Sequence, residues 1–526
     1  MREDHKPHEI MTLSEAAKFI RVSEKTLGER ARRGRIPSQK VGREWRFLRH
    51  ALEEWLSGRL EANGKPRLAE GVAMSKATHV REPEVQYEIP FAGFRDTAFT
   101  ENRDRSLHRW VPWIAGFSAS FVDGVLDKVA ARTPGRLTVL DPFAGVGTTL
   151  IEALKRGHDA IGFEINPYAA LACKAKVGAA GYDVRELKDK VRDFQAHMAG
   201  ESKTNSRSPA GFASRVPFFS AVVELQVLLA LDFIQAQDKT WIRDLFRVAI
   251  GSVMVSFSNY SYEPSLGTRA AAGKPNIEEA DVAHAVVEKL DEFIEDISFF
   301  QGATARFDPK PTAQVYHGSF FDLVEKVADG SVDALITSPP YLNNYHYIRN
   351  TRPQMFWLGM ADVPSDLKEM ERKSFGQFWQ TVRSGPRVEL TPDIEALSEL
   401  IKQLRKRNPE KGAYGGAGWA NYAASYFNDC ERFCRTALKV MKPGGIAVVV
   451  IGNNILQGIE FPTDRFFSEI AEKSGFEVVA LHEVRSKRTG NSILNSSVRS
   501  GTVRQRTKLY ETAVELRAPA LIPARA

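Results

Sequence analysis

Apolar residues recur along this chain in two distinct periods. Leu13, Ala16, Ala17 and Ile20 form an i, i+3, i+4, i+7 stripe behind Thr12, which makes a capping box with Glu15. Ser23 is placed to cap a second helix, Gly34 to end it, and Pro37 stands just beyond. Lys40-Val41 and Trp45-Arg46-Phe47 flank Gly42-Arg43-Glu44 as a short hairpin, and a last helix carries Ala51, Leu52, Trp55 and Leu56. Helix, turn, helix, wing and helix is a winged helix-turn-helix plan over residues 12–56.

Residues 57–95 have weak periodicity and read as a linker. At Leu137 the pattern changes to strand (Leu137–Leu140), Gly-rich turn, helix (Leu150–Arg156) and strand (Ala160–Phe163), a βαβ unit. Residues 186–310 read as mainly helical, through Val222, Leu225, Val227, Leu228 and Leu229, with a polar loop around 258–274. Strand patterns return at Ala313–Tyr316, Val332–Ile336, Ile446–Ile451, Glu477–Leu481 and Leu509–Leu516. Residues 360–425 are charged and Gly-rich, without clear period. The expected organisation is a DNA-binding winged helix at 1–56, a linker at 57–95, a first α/β part at 96–185, a helical insertion at 186–310 and a second α/β part at 311–526. A chain of 526 residues has room for this.

Composition narrows the class. No apolar run approaches 18 residues, the densest being Gly445–Ile451, so no membrane span is expected. The opening Met1-Arg2-Glu3-Asp4-His5 lacks a secretory pattern, and Cys173, Cys430 and Cys434 form no disulfide framework, so a reducing cytoplasm is expected. Formal charge is +7, unevenly spread: residues 1–56 hold 13 Lys/Arg against 9 Asp/Glu, and residues 481–526 hold 9 against 3. Basic ends around a mildly acidic body point to a polyanion partner, most simply nucleic acid. In the tail Arg485, Lys487, Arg488, Arg499, Arg504, Arg506 and Lys508 are the candidate phosphate contacts.

Two strand ends carry chemistry. Asp141-Pro142-Phe143-Ala144-Gly145-Val146-Gly147-Thr148-Thr149 follows a buried strand and opens a helix; its glycines let backbone approach a ligand. Glu164 ends the next strand, where an acid accepts hydrogen bonds from ribose hydroxyls. No Gly-Lys-Ser/Thr follows, which excludes a P-loop, and Thr148-Thr149-Leu150 stands where a dinucleotide fingerprint needs its third glycine. The strand Val332–Ile336 runs into Thr337-Ser338-Pro339-Pro340-Tyr341, whose prolines fix a rigid turn at the strand's C-terminal edge.

With these two motifs the chain resembles the S-adenosylmethionine-dependent DNA amino-methyltransferases, over roughly 96–185 and 311–517. The resemblance implies a Rossmann-like, mostly parallel seven-stranded sheet with an antiparallel last strand. It places Asp141, Phe143, Gly145, Gly147 and Thr148 around the cofactor, with Glu164 on its ribose. The family usually has Asp where Ser319 stands, for the adenine amine; Asp322 is three residues on. Ser338, Pro339, Pro340 and Tyr341 are then the catalytic tetrapeptide. Ser338 and a backbone carbonyl take hydrogen bonds from an exocyclic amine, and Tyr341 stacks on a base rotated out of the helix. In this family Ser-Pro-Pro-Tyr is associated with cytosine N4, and Asp- or Asn-Pro-Pro-Tyr with adenine N6. No cysteine adjoins a proline, which argues against cytosine C5 chemistry, and no metal is expected. The segment His108–Ser118 either closes over the cofactor, as the family implies, or is an aromatic core helix. Both 186–310 and 360–425 are candidates for target recognition.

Residues 12–56 resemble the winged helix-turn-helix domains of phage excisionases and MerR-type regulators. That likeness directs Thr26, Glu29, Arg30 and Arg33 to the major groove and Arg43 to phosphate. The expected enzyme methylates the exocyclic amine of a base in double-stranded DNA, cytosine N4 first and adenine N6 as the alternative. An RNA amino-methyltransferase and a DNA-binding regulator with an inactive methyltransferase fold are the rivals. A partner nuclease or mobile-element partner is not readable.

Overall fold

The computed structural model describes residues 10–48 and 52 apart from 21, 33–35, 37 and 42–43; residues 99–488 apart from 114–115, 117, 263–264 and 343–345; and residues 508–520. The chain divides into two units, residues 1–86 and 87–526.

In the first unit, helix α1 (Leu13–Phe19) opens on the expected capping box. Thr12 Oγ1 accepts from the Glu15 N–H at 3.3 Å, and Glu15 Oε2 accepts from the Thr12 N–H at 2.8 Å. Helix α2 (Glu24–Arg32) starts at Ser23, whose Oγ accepts from the Thr26 N–H at 3.1 Å. Strand β1 (Ile10–Thr12), unexpected from the sequence, joins the hairpin of β2 (Gln39–Val41) and β3 (Glu44–Leu48) by pairing antiparallel with β3. Ala16, Ala17, Leu27, Ile36, Phe47 and Leu52 form its core. Of the expected last helix, Ala51, Trp55 and Leu56 lie outside the described residues.

The second unit is built on β4 (Thr138–Asp141), β5 (Asp159–Glu164), β8 (Ala313–His317), β9 (Val332–Thr337), β10 (Met441–Gly452), β13 (Glu477–Arg488) and β14 (Lys508–Arg517). They form one sheet in the order β13-β14-β10-β9-β4-β5-β8. Every pairing is parallel except those of β14. This is the expected Rossmann-like methyltransferase sheet. Alternation along the strands divides the core. Val139, Ile336, Val448 and Val450 face the helix Ala119–Arg132, while Leu140, Leu335, Val449 and Ile451 face the helix Gly416–Val440. The chain winds outward from β4 to β8, then returns to β9 on the other side of β4. That reversal opens a crevice at the strands' C-terminal ends, where α/β sheets bind ligands.

The insertion is helical as expected: Val184–Gly200, Ala221–Gln235, Thr240–Val253 and Val282–Thr304 pack around Phe194, Phe246 and Phe293. Two expectations need correction. The polar loop at 258–274 contains a hairpin, β6 (Tyr260–Tyr262) with β7 (Leu266–Thr268). The stretch 360–425 is largely helical, with Pro364–Lys373, Trp379–Val382, Glu395–Arg405 and the start of Gly416–Val440. A second small hairpin, β11 (Asn454–Leu456) with β12 (Ile459–Phe461), follows β10. Among the described residues no helix is long and apolar enough to cross a membrane.

Candidate active site

A cleft of about 940 Å³, solvent mouth included, lies at that crevice. The loop after β4 forms its floor through Asp141, Phe143, Gly145 and Thr148. Gly145 has φ +52°, and a Cβ there would stand 3.2 Å from Trp113 Nε1, so the backbone itself forms the wall. Glu164, at the end of β5, accepts from the Gly145 N–H at 2.8 Å and the Asn166 N–H at 2.7 Å. Its carboxylate therefore ties the loop to the next strand and keeps further lone pairs for a ligand. Ser319, at the end of β8, lines the same cleft, whereas exposed Asp322 does not.

From the other side of the crevice come Ser338 and Pro340. Thr337 Oγ1 donates to Asp141 Oδ1 at 2.6 Å, which locks the proline turn to the Gly-rich loop. Ser338 Oγ donates to Tyr341 Oη at 3.3 Å. Tyr341 itself stands outside the cleft wall, its ring packed on Gly452, where an added Cβ would lie 3.2 Å away. Pro339 also stands outside, and Gly147 stands behind the loop. Gly147 has φ +89°, and a Cβ there would fall 2.8 Å from Cys173 Sγ.

Burial dominates the electrostatics. It pushes Asp141 up to about 6 despite bonds from Thr337, Thr149 and the Phe143 N–H. It pushes Glu164 up to about 7 against the Asn166 and Gly145 N–H bonds, with the Asp141 charge adding to the rise. Burial also raises the thiols of Cys173, Cys430 and Cys434, as expected of packing residues.

The aromatic segment divides its roles. Trp110 is core, stacked on Phe293 at 3.9 Å with its Nε1 donating to Asp296 at 3.0 Å. Trp113 lines the cleft and stacks with Tyr347 at 6.0 Å. Lys373, Phe375 and Phe378 complete the wall from the stretch that lacked a readable period.

Residues 10–60 match the family described as a helix-turn-helix domain, and residues 129–174, spanning the Gly-rich loop and Glu164, match the family described as DNA methylase. Over that segment the chain is similar to the DNA methylases. It is similar to type II methyltransferases, among them the following three. M.BsoBI of Geobacillus stearothermophilus is 24% identical, over 75% of this chain and 83% of that protein. M.AvaI of Nostoc sp. is 22% identical, over 78% and 86%. M.MvaI of Kocuria varians is 21% identical, over 73% and 84%.

S-adenosylmethionine is the methyl donor that these similarities imply. The cleft fits it in donor type: a buried carboxylate at Glu164 suits a ribose diol, bare backbone at Gly145 leaves room, and Phe143, Phe163 and Phe320 offer apolar faces to a purine. In the helix-turn-helix unit Thr26 is exposed, with its hydroxyl 2.8 Å from Ser23 Oγ. Arg30 lies on α2; Arg33 and Arg43 lie outside the described residues. In the basic tail Arg485 faces Glu511 at 3.8 Å across β13 and β14. The side chains of Lys487, Arg488 and Lys508 are outside the described set, as are Arg499, Arg504 and Arg506.

Proposed function

We propose that this protein is a DNA methylase that modifies the exocyclic amine of a base rotated out of duplex DNA, with cytosine N4 as the target. The observation that carries this reading is the sharing of one cleft by Ser338 and the Gly-rich loop, tied by the 2.6 Å Thr337–Asp141 bond. When bound, S-adenosylmethionine supplies an electrophilic methyl group on a sulfonium. Asp141, Phe143, Gly145, Thr148, Glu164 and Ser319 would hold it, and Gly147 shapes the loop from behind.

The chain's own residues then address the amine, a poor nucleophile because its lone pair is delocalised into the ring. The Ser338 hydroxyl donates a hydrogen bond to Tyr341 Oη, which leaves the serine lone pairs to accept an N–H of the amine. A backbone carbonyl of the proline turn accepts the other N–H. Together they localise the amine's lone pair and aim it, so positioning and electrostatics supply the rate. Tyr341 is on this reading a positioning residue, and the stacking on the base falls to the aromatic side chains that line the cleft. Serine at 338, rather than Asp or Asn, supports cytosine N4 over adenine N6 through the family resemblance. The winged helix, through Thr26, Arg30, Arg33 and Arg43, delivers the enzyme to DNA. Sequencing DNA from a host that expresses the gene, by a method that detects both modified bases, should find methylation at the amine of one base within a short recurring sequence. Unmodified DNA would overturn the proposal.

Cofactor affinity should depend on pH through Glu164. A ribose that donates to this carboxylate selects its ionised form, and in the free protein burial holds the group at about 7. Affinity measured by calorimetry should therefore fall about tenfold from pH 8 to pH 6. Stability of the free protein runs the opposite way. Asp141 and Glu164 have folded pKa values raised to about 6 and about 7, so their contribution is full below their ordinary carboxylate range and is lost as pH rises through those values. The thermal shift on adding cofactor should thus be larger at pH 8 than at pH 6. Affinity independent of pH would remove Glu164 from the ribose.

A further inference from the structure

Beside the cleft lies a surface that the proposed chemistry does not use. Phe378 lines the cleft, and Trp379, next in the chain, lies at the base of a stack. Trp419 stacks on Trp379 with centroids 5.0 Å apart. The Arg383 guanidinium lies 4.4 Å over Trp379 and 4.3 Å from the Tyr414 ring, and donates to Tyr414 Oη at 3.2 Å. Tyr414 ends the stack and is 58% exposed, although it is a large aromatic ring.

The turn that carries Tyr414 is rigid and basic. Asn408 has φ +45°, and its side chain bonds to Gln457. A Cβ at Gly416 or Gly418 would overlap the backbone carbonyls of Leu404 and Ala413, so the helix after the turn is pressed directly onto the turn's backbone. Residues 401–411 hold five Lys/Arg against one Glu. Arg405 is used structurally, donating to Asn421 Oδ1 at 3.0 Å. Lys402, Lys406, Arg407 and Lys411 are exposed, and none makes an ion pair among the described residues. The rival recognition segment is the poorer partner for a polyanion, because residues 186–310 hold 18 Asp/Glu against 14 Lys/Arg.

We infer that Lys402, Lys406, Arg407, Lys411 and the exposed Tyr414 form a docking surface for duplex DNA beside the catalytic cleft. This rests on the proposed function, since it gives the DNA that supplies the target base a place to lie. The four cations engage phosphates, and Tyr414, held by Arg383, packs its ring on a base or sugar. Unpaired cations around a braced aromatic fit a backbone with stacking faces.

The test is duplex binding by the full chain as a function of salt. Each phosphate contact contributes about 0.9 to the slope of log affinity against log salt. The fourfold variant K402Q/K406Q/R407Q/K411Q should therefore lose about 3.6 from the magnitude of that slope and keep its cofactor affinity. Tyr414→Ala should keep the slope and weaken duplex binding on the order of tenfold. A fourfold variant with the wild-type slope overturns the inference. So does a structured RNA that outcompetes duplex through these same residues. The proposed function fails differently: wild-type protein that binds duplex with this slope and transfers no methyl group to it would sink the chemistry and leave the docking surface standing.

Discussion

Ser338→Ala should lower methyl transfer about 10²–10³-fold at saturating cofactor and DNA, and should leave cofactor affinity within about twofold of wild type. In the proposed chemistry the hydroxyl accepts one N–H of the amine, and the substitution removes that oriented acceptor while the proline turn stays locked by the Thr337–Asp141 bond. Tyr341→Phe separates the two halves of the argument. It keeps the ring that packs on Gly452 and removes the acceptor of the Ser338 proton. Turnover should fall about tenfold, less than in Ser338→Ala, because the serine remains and only its orientation is lost. Stopped single-turnover assays with calorimetric cofactor titrations distinguish these outcomes. A Ser338→Ala enzyme with wild-type turnover would remove the serine from the chemistry.

The second large effect belongs to the Gly-rich loop. Gly145→Trp should weaken cofactor binding at least about 100-fold, because an indole would fill the space that bare backbone now leaves beside Trp113. Gly147→Val should act on the fold instead. It forces a β-branched residue to φ +89° and pushes its Cβ to 2.8 Å from Cys173 Sγ. Left-handed strain and overpacking together cost about 3 kcal/mol. The melting temperature of the free protein should drop in both variants, and further in Gly147→Val, where overlap with buried Cys173 adds to the left-handed strain that both positions impose. If Gly145→Trp binds cofactor as wild type does, the cofactor does not sit against this loop.

Much of this was legible from local pattern. The capping box of Thr12 and Glu15 is a contact between residues three apart, so its sequence signature was sufficient. The strands at Val332 and Ile446 are apolar on both faces and bounded by Gly or Pro, which marks buried parallel strands. What escaped depends on distant partners. Strand β1 has three residues and exists only because Leu48, 38 positions later, pairs with Ile10. Helix Glu395–Arg405 buries Leu397, Ile401 and Leu404, an i, i+4, i+7 stripe hidden by the charges around it. Phe375 and Phe378 reach the cleft from short connections with no period to read. The two prolines revealed the turn before Tyr341, but the direction of the Tyr341 ring is set by Gly452 on a strand more than 100 residues away. Trp110 and Trp113 lie three residues apart, yet one fills the core and the other lines the cleft, a division made by Asp296 and Phe293 on a remote helix.

Methylation of an exocyclic amine in duplex DNA is open to direct assay. Purified full-length protein is incubated with tritiated S-adenosylmethionine and duplex DNA that contains its preferred sites, and the DNA is digested to nucleosides and separated. Label is expected in N4-methylcytosine. Label in N6-methyladenine would correct the base and keep the mechanism. Label in 5-methylcytosine would contradict the account, because that chemistry requires a reactive thiolate, and Cys173, Cys430 and Cys434 are all buried.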